Sequence, residues 1–239
     1  MKVKPMQFFV ILATFAVIFV NYLATQGYIG GITANYISDK YPTYATPAGY
    51  AFSIWALIYL GLIIFSLFQA MPAQADNFKK VRGFYILSCV ANCVWIFLWH
   101  NQLIVASVGA MLVLLVSLVA INFSLSKADS LVARVPFGMY FGWVTVATIV
   151  NIVVCLASVG IDISIGTACI LIVIATIFGV FFRLKLPNAA YGLTVTWGIV
   201  AIAVKHGGVT AISFVSAFAV ITLMIAVITP ALRLHEAKS

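Results

Sequence analysis

The chain has 239 residues, of which 64% are hydrophobic and 8% are charged. Soluble domains carry about a quarter charged residues, so this composition excludes an ordinary water-soluble globule and indicates a chain surrounded by lipid. The net charge of +8 would suggest nucleic acid in a soluble protein. Here the charges are placed as membrane orientation requires, and no nucleic-acid partner is expected.

Eight apolar stretches are long enough to cross a bilayer as helices, which takes about 20 residues each. Their apolar residues are continuous rather than alternating, and this predicts helices instead of a β-barrel. The predicted spans are 6–26, 48–71, 83–100, 103–125, 136–158, 162–182, 188–204 and 208–230. The predicted fold is an all-α polytopic membrane bundle. Gly27 to Thr46 is predicted to be a tyrosine-rich loop, either an interfacial belt or a lid over a cavity.

Lysines and arginines gather on alternate connecting segments, as the positive-inside rule requires of correctly drawn spans. Only Lys40 and Lys205 lie on one side. The other eleven lie on the side of the termini: Lys2, Lys4, Lys79, Lys80, Arg82, Lys127, Arg134, Arg183, Lys185, Arg233 and Lys238. This predicts a multi-pass protein of the cell (inner) membrane with both termini in the cytoplasm.

The first span has a second interpretation. Two lysines ahead of an apolar run are also typical of a secretory signal peptide. No small-x-small cleavage site follows between Asn21 and Gly27, so a retained span is preferred. Cleavage would leave seven spans in the same orientation.

Charge and metal chemistry are scarce within the spans. Their interiors hold no Asp, Glu, Lys or Arg, which argues against ion pumps, proton-coupled carriers and voltage sensors. The cysteines lack paired metal spacing and are interpreted as packing residues. His100 could cap an axial metal position, but its place at a span end favours an interfacial polar residue. No metal ligand and no catalytic residue is predicted.

Aromatic and amide side chains remain, and they form stripes at helical spacing. Each stripe lies on one face of its span: Phe52, Trp55 and Tyr59 on the second, Asn92, Trp95 and Trp99 on the third, and Tyr140, Trp143, Ala147 and Asn151 on the fifth. A primary amide in lipid must be hydrogen-bonded. Asn92 and Asn151 are therefore expected to face inward, toward neighbouring helices or toward a bound polar group.

The same stripes resemble the TspO/MBR family, the translocator proteins also called tryptophan-rich sensory proteins. Thr46 to Tyr59 resembles the family's Pro-Pro-Gly-Trp-x-Phe followed by Trp-x-x-x-Tyr, with Tyr50 in place of a tryptophan. Asn92 with Trp95 resembles its Leu-Asn-x-x-Trp. Pro136 to Asn151 resembles its Pro-Tyr-x-x-Trp-x-x-x-Ala-Thr-x-x-Asn. No cholesterol-type motif follows the fifth span.

The resemblance implies a TspO-like five-helix bundle over residues 1–158, followed by three additional helices over 159–239. It implies a membrane binding protein, acting as receptor, sensor or carrier for a hydrophobic ligand such as a porphyrin or a sterol-like lipid. No cofactor is required, and porphyrin or haem would be the ligand. Carried over by position, the ligand-binding residues are Tyr50, Trp55, Tyr59, Asn92, Trp95, Trp143, Ala147 and Asn151.

Three other functions stay open at this stage. The protein could be a structural or assembly subunit of a membrane complex, or an oxidoreductase that degrades porphyrins with its tryptophans as redox partners. A transporter with two related halves would need matching Gly/Pro breaks, which are not found. The expected partners are the bilayer and a hydrophobic small molecule; a homodimer is left open.

Overall fold

The structure is a computed structural model that describes residues 4–236, without the side chains of 34, 35, 38 and 230–236. Nine α-helices and no strand lie in this range. A 3-10 turn, Gly49–Ser53, leads into the third helix. The helices are α1 (Pro5–Thr25), α2 (Ala34–Lys40), α3 (Ile54–Ala70), α4 (Lys79–His100), α5 (Ile104–Ser124), α6 (Leu131–Ser158), α7 (Ile165–Lys185), α8 (Ala189–Lys205) and α9 (Thr210–Glu236).

Each of the eight predicted spans corresponds to one helix, with α2 as the ninth. Seven helices are long and apolar enough to cross a membrane, and α8 is a shorter apolar helix of 17 residues. At 1.5 Å per residue, 17 residues lie at the lower limit for a bilayer core. The prediction of an all-α polytopic membrane bundle is confirmed.

Several helices begin or end a few residues from the predicted bounds, and two differences affect the fold. The segment from Gly27 to Thr46 contains the short helix α2, which is too brief to leave an apolar period in the sequence. Helix α6 begins at Leu131 instead of residue 136, so that Pro136 lies inside it. Proline removes a main-chain donor there, and side-chain amides from neighbouring segments support the turn: Asn122 donates to the Phe137 carbonyl and Asn188 to the Arg134 carbonyl.

Two arginines predicted to lie in connecting segments are instead buried within helices. Arg82 is 2% exposed in the first turn of α4, and Arg183 is 5% exposed in the last turn of α7. Arg82 donates to the side chain of Gln69 and to two loop carbonyls, each at 2.8 Å. Arg183 donates to the Val227 carbonyl at 2.9 Å. Main-chain carbonyl and side-chain amide oxygens thus provide the hydrogen bonds that these buried guanidinium groups need.

Helix α6 lies at the centre of the bundle, in contact with α3, α5, α7 and α8, and more than half of it is buried. Glycines allow its close approach to α8 and α3. A Cβ on Gly142 would come within 2.6 Å of the Tyr191 carbonyl, and one on Gly61 of α3 within 2.7 Å of the Pro136 ring. Because lipid provides no hydrophobic force between helices, such small residues supply close packing in its place.

Replacing Gly142 by alanine should destabilise the bundle by about 1–3 kcal/mol, because the new methyl group overlaps main-chain atoms of α8. Thermal unfolding in detergent measures this. Gly109→Ala is the matched control: Gly109 is an exposed helical glycine on α5 with open space around it. The control should unfold at the wild-type temperature or slightly above it. Equal midpoints for both variants would contradict the close approach of α6 and α8.

Candidate functional site

The segment from Thr46 to Ser53, which carries the first aromatic motif, is fastened to helix α8. The main-chain N–H of Ala48 donates to the Ala201 carbonyl at 3.0 Å. The indole of Trp197 donates to the Ala51 carbonyl, and Nε2 of His206 donates to the Thr46 carbonyl, both at 3.1 Å. These three bonds join main-chain groups of the segment to α8 and to the residue that follows it, and they fix the position of the 3-10 turn.

The aromatic stripes of α3, α4 and α6 face one another. Trp55 stacks on Tyr59 with ring centroids 5.2 Å apart and meets Trp143 edge-on at 6.4 Å. Phe52 also meets Trp143 edge-on, at 5.7 Å. On α4, Trp95 stacks on Trp99 at 5.6 Å. These distances are those of favourable aromatic pairs, so the rings form one wall shared by three helices.

The amide of Asn92 links three helices. Its oxygen accepts from Nδ2 of Asn21 in α1 at 2.9 Å, and its nitrogen donates to the Tyr140 hydroxyl in α6 at 3.1 Å. Asn92 is fully buried. Of the two roles that the sequence left open, the structure gives Asn92 the bond to neighbouring helices.

The amide of Asn151 does the same between α4, α5 and α6. Its oxygen accepts from the Trp95 indole at 3.0 Å, and its nitrogen donates to the Ser107 hydroxyl at 2.9 Å. The bond from Trp95 fixes the orientation of that ring. Asn151 thus contributes to the aromatic wall indirectly, by holding one of its members.

Two cavities adjoin this wall. The larger cavity has a volume of about 330 Å³ and lies between α1, the loop before α2, α3 and α4, lined by Asn21, Ala24, Thr25, Thr33, Phe52, Trp55, Tyr59, Trp95, Ile96 and His100. The smaller cavity has a volume of about 40 Å³ and is lined by Pro47, Phe52, Trp55, Trp95, Trp99, Trp143, Val146, Ala147, Val150 and Asn151. Phe52, Trp55 and Trp95 line both, so these three rings separate the two spaces.

Two polar atoms among the described residues are buried beside the larger cavity without a hydrogen-bond partner: the Tyr59 hydroxyl and Nε2 of His100. An unpaired buried polar group costs about 1–3 kcal/mol. Such atoms are retained where something outside the protein's own side chains completes them.

The structure brings most of the predicted site residues together. Trp55, Trp95, Trp143, Ala147 and Asn151 line the smaller cavity, and Tyr59 lines the larger one. The other two lie elsewhere. Asn92 lines neither cavity, and Tyr50 is 42% exposed and packs edge-on against Trp197, with ring centroids 5.3 Å apart.

Sequence reasoning left several lining residues out of the site. Phe52 and Trp99 belong to the predicted aromatic stripes and line the smaller cavity, but they are not among the predicted ligand-binding residues. His100 was interpreted as an interfacial residue, although it follows Asn92 and Ile96 at spacings of four and so shares their face of α4. Asn21 and Thr33 come from α1 and from the loop before α2, and only the tertiary fold brings them to the cavity.

Residues 7–229 match the family described as TSPO-like protein. The chain belongs to this TSPO-like family. The resemblance based on the aromatic motifs is thereby confirmed at the level of the family, and the match continues through α7, α8 and most of α9. No curated protein and no solved structure matches the chain.

Asn151→Leu tests the helix-linking role of the amide in this TSPO-like protein. Leucine has a similar size but leaves the Trp95 indole N–H and the Ser107 hydroxyl without their partner. The expected loss is about 1–3 kcal/mol in the free energy of unfolding. Ser107→Ala is the control, since Asn151 still accepts from Trp95 in it, and it should cost less. A larger loss in Ser107→Ala than in Asn151→Leu would refute this ranking.

The bond between His206 and Thr46 predicts a pH dependence. Burial lowers the pKa of His206, as does nearby Lys205, while the bond to the Thr46 carbonyl opposes the shift. A histidine with a lowered pKa resists protonation in the fold, whereas the unfolded chain takes up the proton near pH 6.5. The stabilisation from the neutral ring is therefore present above about pH 6.5 and is lost as the pH falls through the folded pKa.

Thermal unfolding at pH 7.5 and pH 5 measures this effect in the wild type and in His206→Gln, which keeps a side-chain donor but does not titrate. The wild type should lose more stability on acidification than the variant does. Other titrating groups are common to both proteins and cancel in the comparison. Equal losses would show that His206 does not contribute.

Proposed function

We propose that this TSPO-like protein is a membrane binding protein for a flat hydrophobic ligand, such as a porphyrin or a sterol-like lipid, and acts as its receptor, sensor or carrier. The observation that supports this best is the larger cavity, which is enclosed by the rings of Phe52, Trp55, Tyr59 and Trp95. Ring faces stack on planar molecules, and apolar cavities with few polar groups are typical of small-molecule sites.

Of the two cavities beside the aromatic wall, the larger one is favoured as the ligand site by its size. Its volume of about 330 Å³ lies at the lower end of the range of roughly 300–1,000 Å³ found for ligand pockets. The smaller cavity, with about 40 Å³, has room for only a few water molecules, each of which needs roughly 10–15 Å³. Trp143 and Ala147 would then support the aromatic wall from the side of the smaller cavity.

The placement of the charges supports a position in the cell (inner) membrane with both termini in the cytoplasm. Eleven of the 13 lysines and arginines lie on the side of the termini, including Lys4, Lys79 and Lys185. The larger cavity lies at the other ends of α1 and α4, near Thr33 and His100. On this proposal the ligand enters from the outer half of the bilayer or from the space outside it.

A structural or assembly subunit is the second candidate. It is favoured by the two buried asparagines, whose polar atoms are used by Asn21, Tyr140, Trp95 and Ser107 instead of facing a ligand. Such a protein would keep the bundle intact and bind no small molecule. The experiment below separates the two candidates.

Protoporphyrin titrated into purified protein should quench tryptophan fluorescence in a saturable way, because four of the five tryptophans line the cavities. Trp55→Ala should weaken binding about tenfold, since the loss of a buried aromatic contact is worth about 1.5 kcal/mol or more. The midpoint of the titration, rather than its amplitude, measures this effect, because the variant also lacks one fluorophore.

Phe214→Ala is the matched control, because it removes a ring of α9 that is 73% exposed and lines neither cavity. Its binding midpoint should equal that of the wild type. Absence of saturable quenching, or equal midpoints for Trp55→Ala and the wild type, would overturn the binding function. Absence of quenching in a protein that Asn151→Leu still destabilises would favour the structural subunit.

A further inference from the structure

A buried polar side chain, that of His100, lies beside the larger cavity. His100 is the last residue of α4, is 1% exposed and lines this cavity. Its Nδ1 lies 2.9 Å from the carbonyl oxygen of Ile96, one turn earlier in the same helix. A carbonyl oxygen only accepts, so Nδ1 carries the proton and donates it.

The position of that proton decides what the other ring nitrogen can do. In a neutral imidazole one nitrogen donates and the other accepts, so Nε2 of His100 presents a bare lone pair. Within residues 4–236 this atom has no hydrogen-bond partner. A buried acceptor is satisfied only when a hydrogen-bond donor reaches it.

The loop before α2 keeps His100 in place. Gly30 lies directly against the main chain of His100, and any side chain at position 30 would collide with the His100 carbonyl. Gly30 has a φ of 67°, a left-handed conformation that glycine adopts at little cost. The Ile96 bond thus holds the imidazole ring, and the loop packs against the main chain of the same residue.

Resting on the proposed binding function, we propose that His100 is a specificity-determining residue, whose Nε2 accepts a hydrogen bond from a hydroxyl or N–H group of the ligand. The ligand class is then a flat apolar molecule with a hydrogen-bond donor at one edge. The rings of Trp55 and Trp95 contact its apolar body. An apolar molecule without that donor leaves Nε2 unpaired and is disfavoured.

Two probes with the same ring system, of which only the first has a hydrogen-bond donor, test the proposal: 2-naphthol and 2-methoxynaphthalene. Equilibrium dialysis of the full-length protein in detergent gives both affinities, and dialysis of protein-free micelles corrects for partition. The wild type should bind 2-naphthol about tenfold more tightly, the effect of one hydrogen bond to an otherwise unpaired acceptor. His100→Phe should abolish the preference. His100→Gln, whose amide oxygen accepts, should retain part of it.

Asn101→Ala is the matched control, because Asn101 is the next residue, is exposed and bonds only to the Phe97 carbonyl. It should keep the full preference. Equal affinities for the two probes in the wild type, or a preference that survives in His100→Phe, would overturn the proposal. If protoporphyrin still binds, the binding function stands without the role of His100. If neither naphthalene nor protoporphyrin binds, both proposals fall.

Discussion

The arrangement of the aromatic wall depends on a few hydrogen bonds between helices within the membrane. Asn92 joins α1, α4 and α6, and Asn151 joins α4, α5 and α6. Helices in lipid gain little from burying apolar surface, because the surrounding chains are equally apolar. Hydrogen bonds and glycine contacts therefore decide which faces meet. Without the two amides, the aromatic stripes could rotate away from one another.

Amide and aromatic side chains have different roles in the candidate site: the amides link helices, and the rings line the larger cavity. The amides of Asn92 and Asn151 hold helices together, and four aromatic rings, those of Phe52, Trp55, Tyr59 and Trp95, contribute to the lining of the larger cavity. The polar atoms that remain unpaired, on Tyr59 and His100, lie on different helices. A wall of this kind binds by shape and area, and a small number of polar atoms gives it selectivity.

Much of the fold could be predicted from the sequence, because run length and loop charge are local properties of the chain. The eight spans and the inward faces of α3, α4 and α6 belong to this group. Features created by tertiary contact could not be predicted. Arg82 is buried against carbonyls of the connection before α4, and Arg183 against the Val227 carbonyl of α9. Pro136 lies inside α6 because Asn122 and Asn188 support the adjacent carbonyls.

Helix α8 lies far along the chain from the aromatic motif between Thr46 and Ser53, yet Trp197, Ala201 and His206 all bond to that segment. A fragment that ended after α6 would contain every residue that lines the two cavities but would lack the three residues that form these hydrogen bonds. Substitutions in α8 would accordingly shift the 3-10 turn that carries Phe52 without changing any residue that lines the two cavities. Substitutions in α8 and in the segment from Thr46 to Ser53 should therefore be energetically coupled, although Ala51 and Trp197 lie 146 positions apart in the chain.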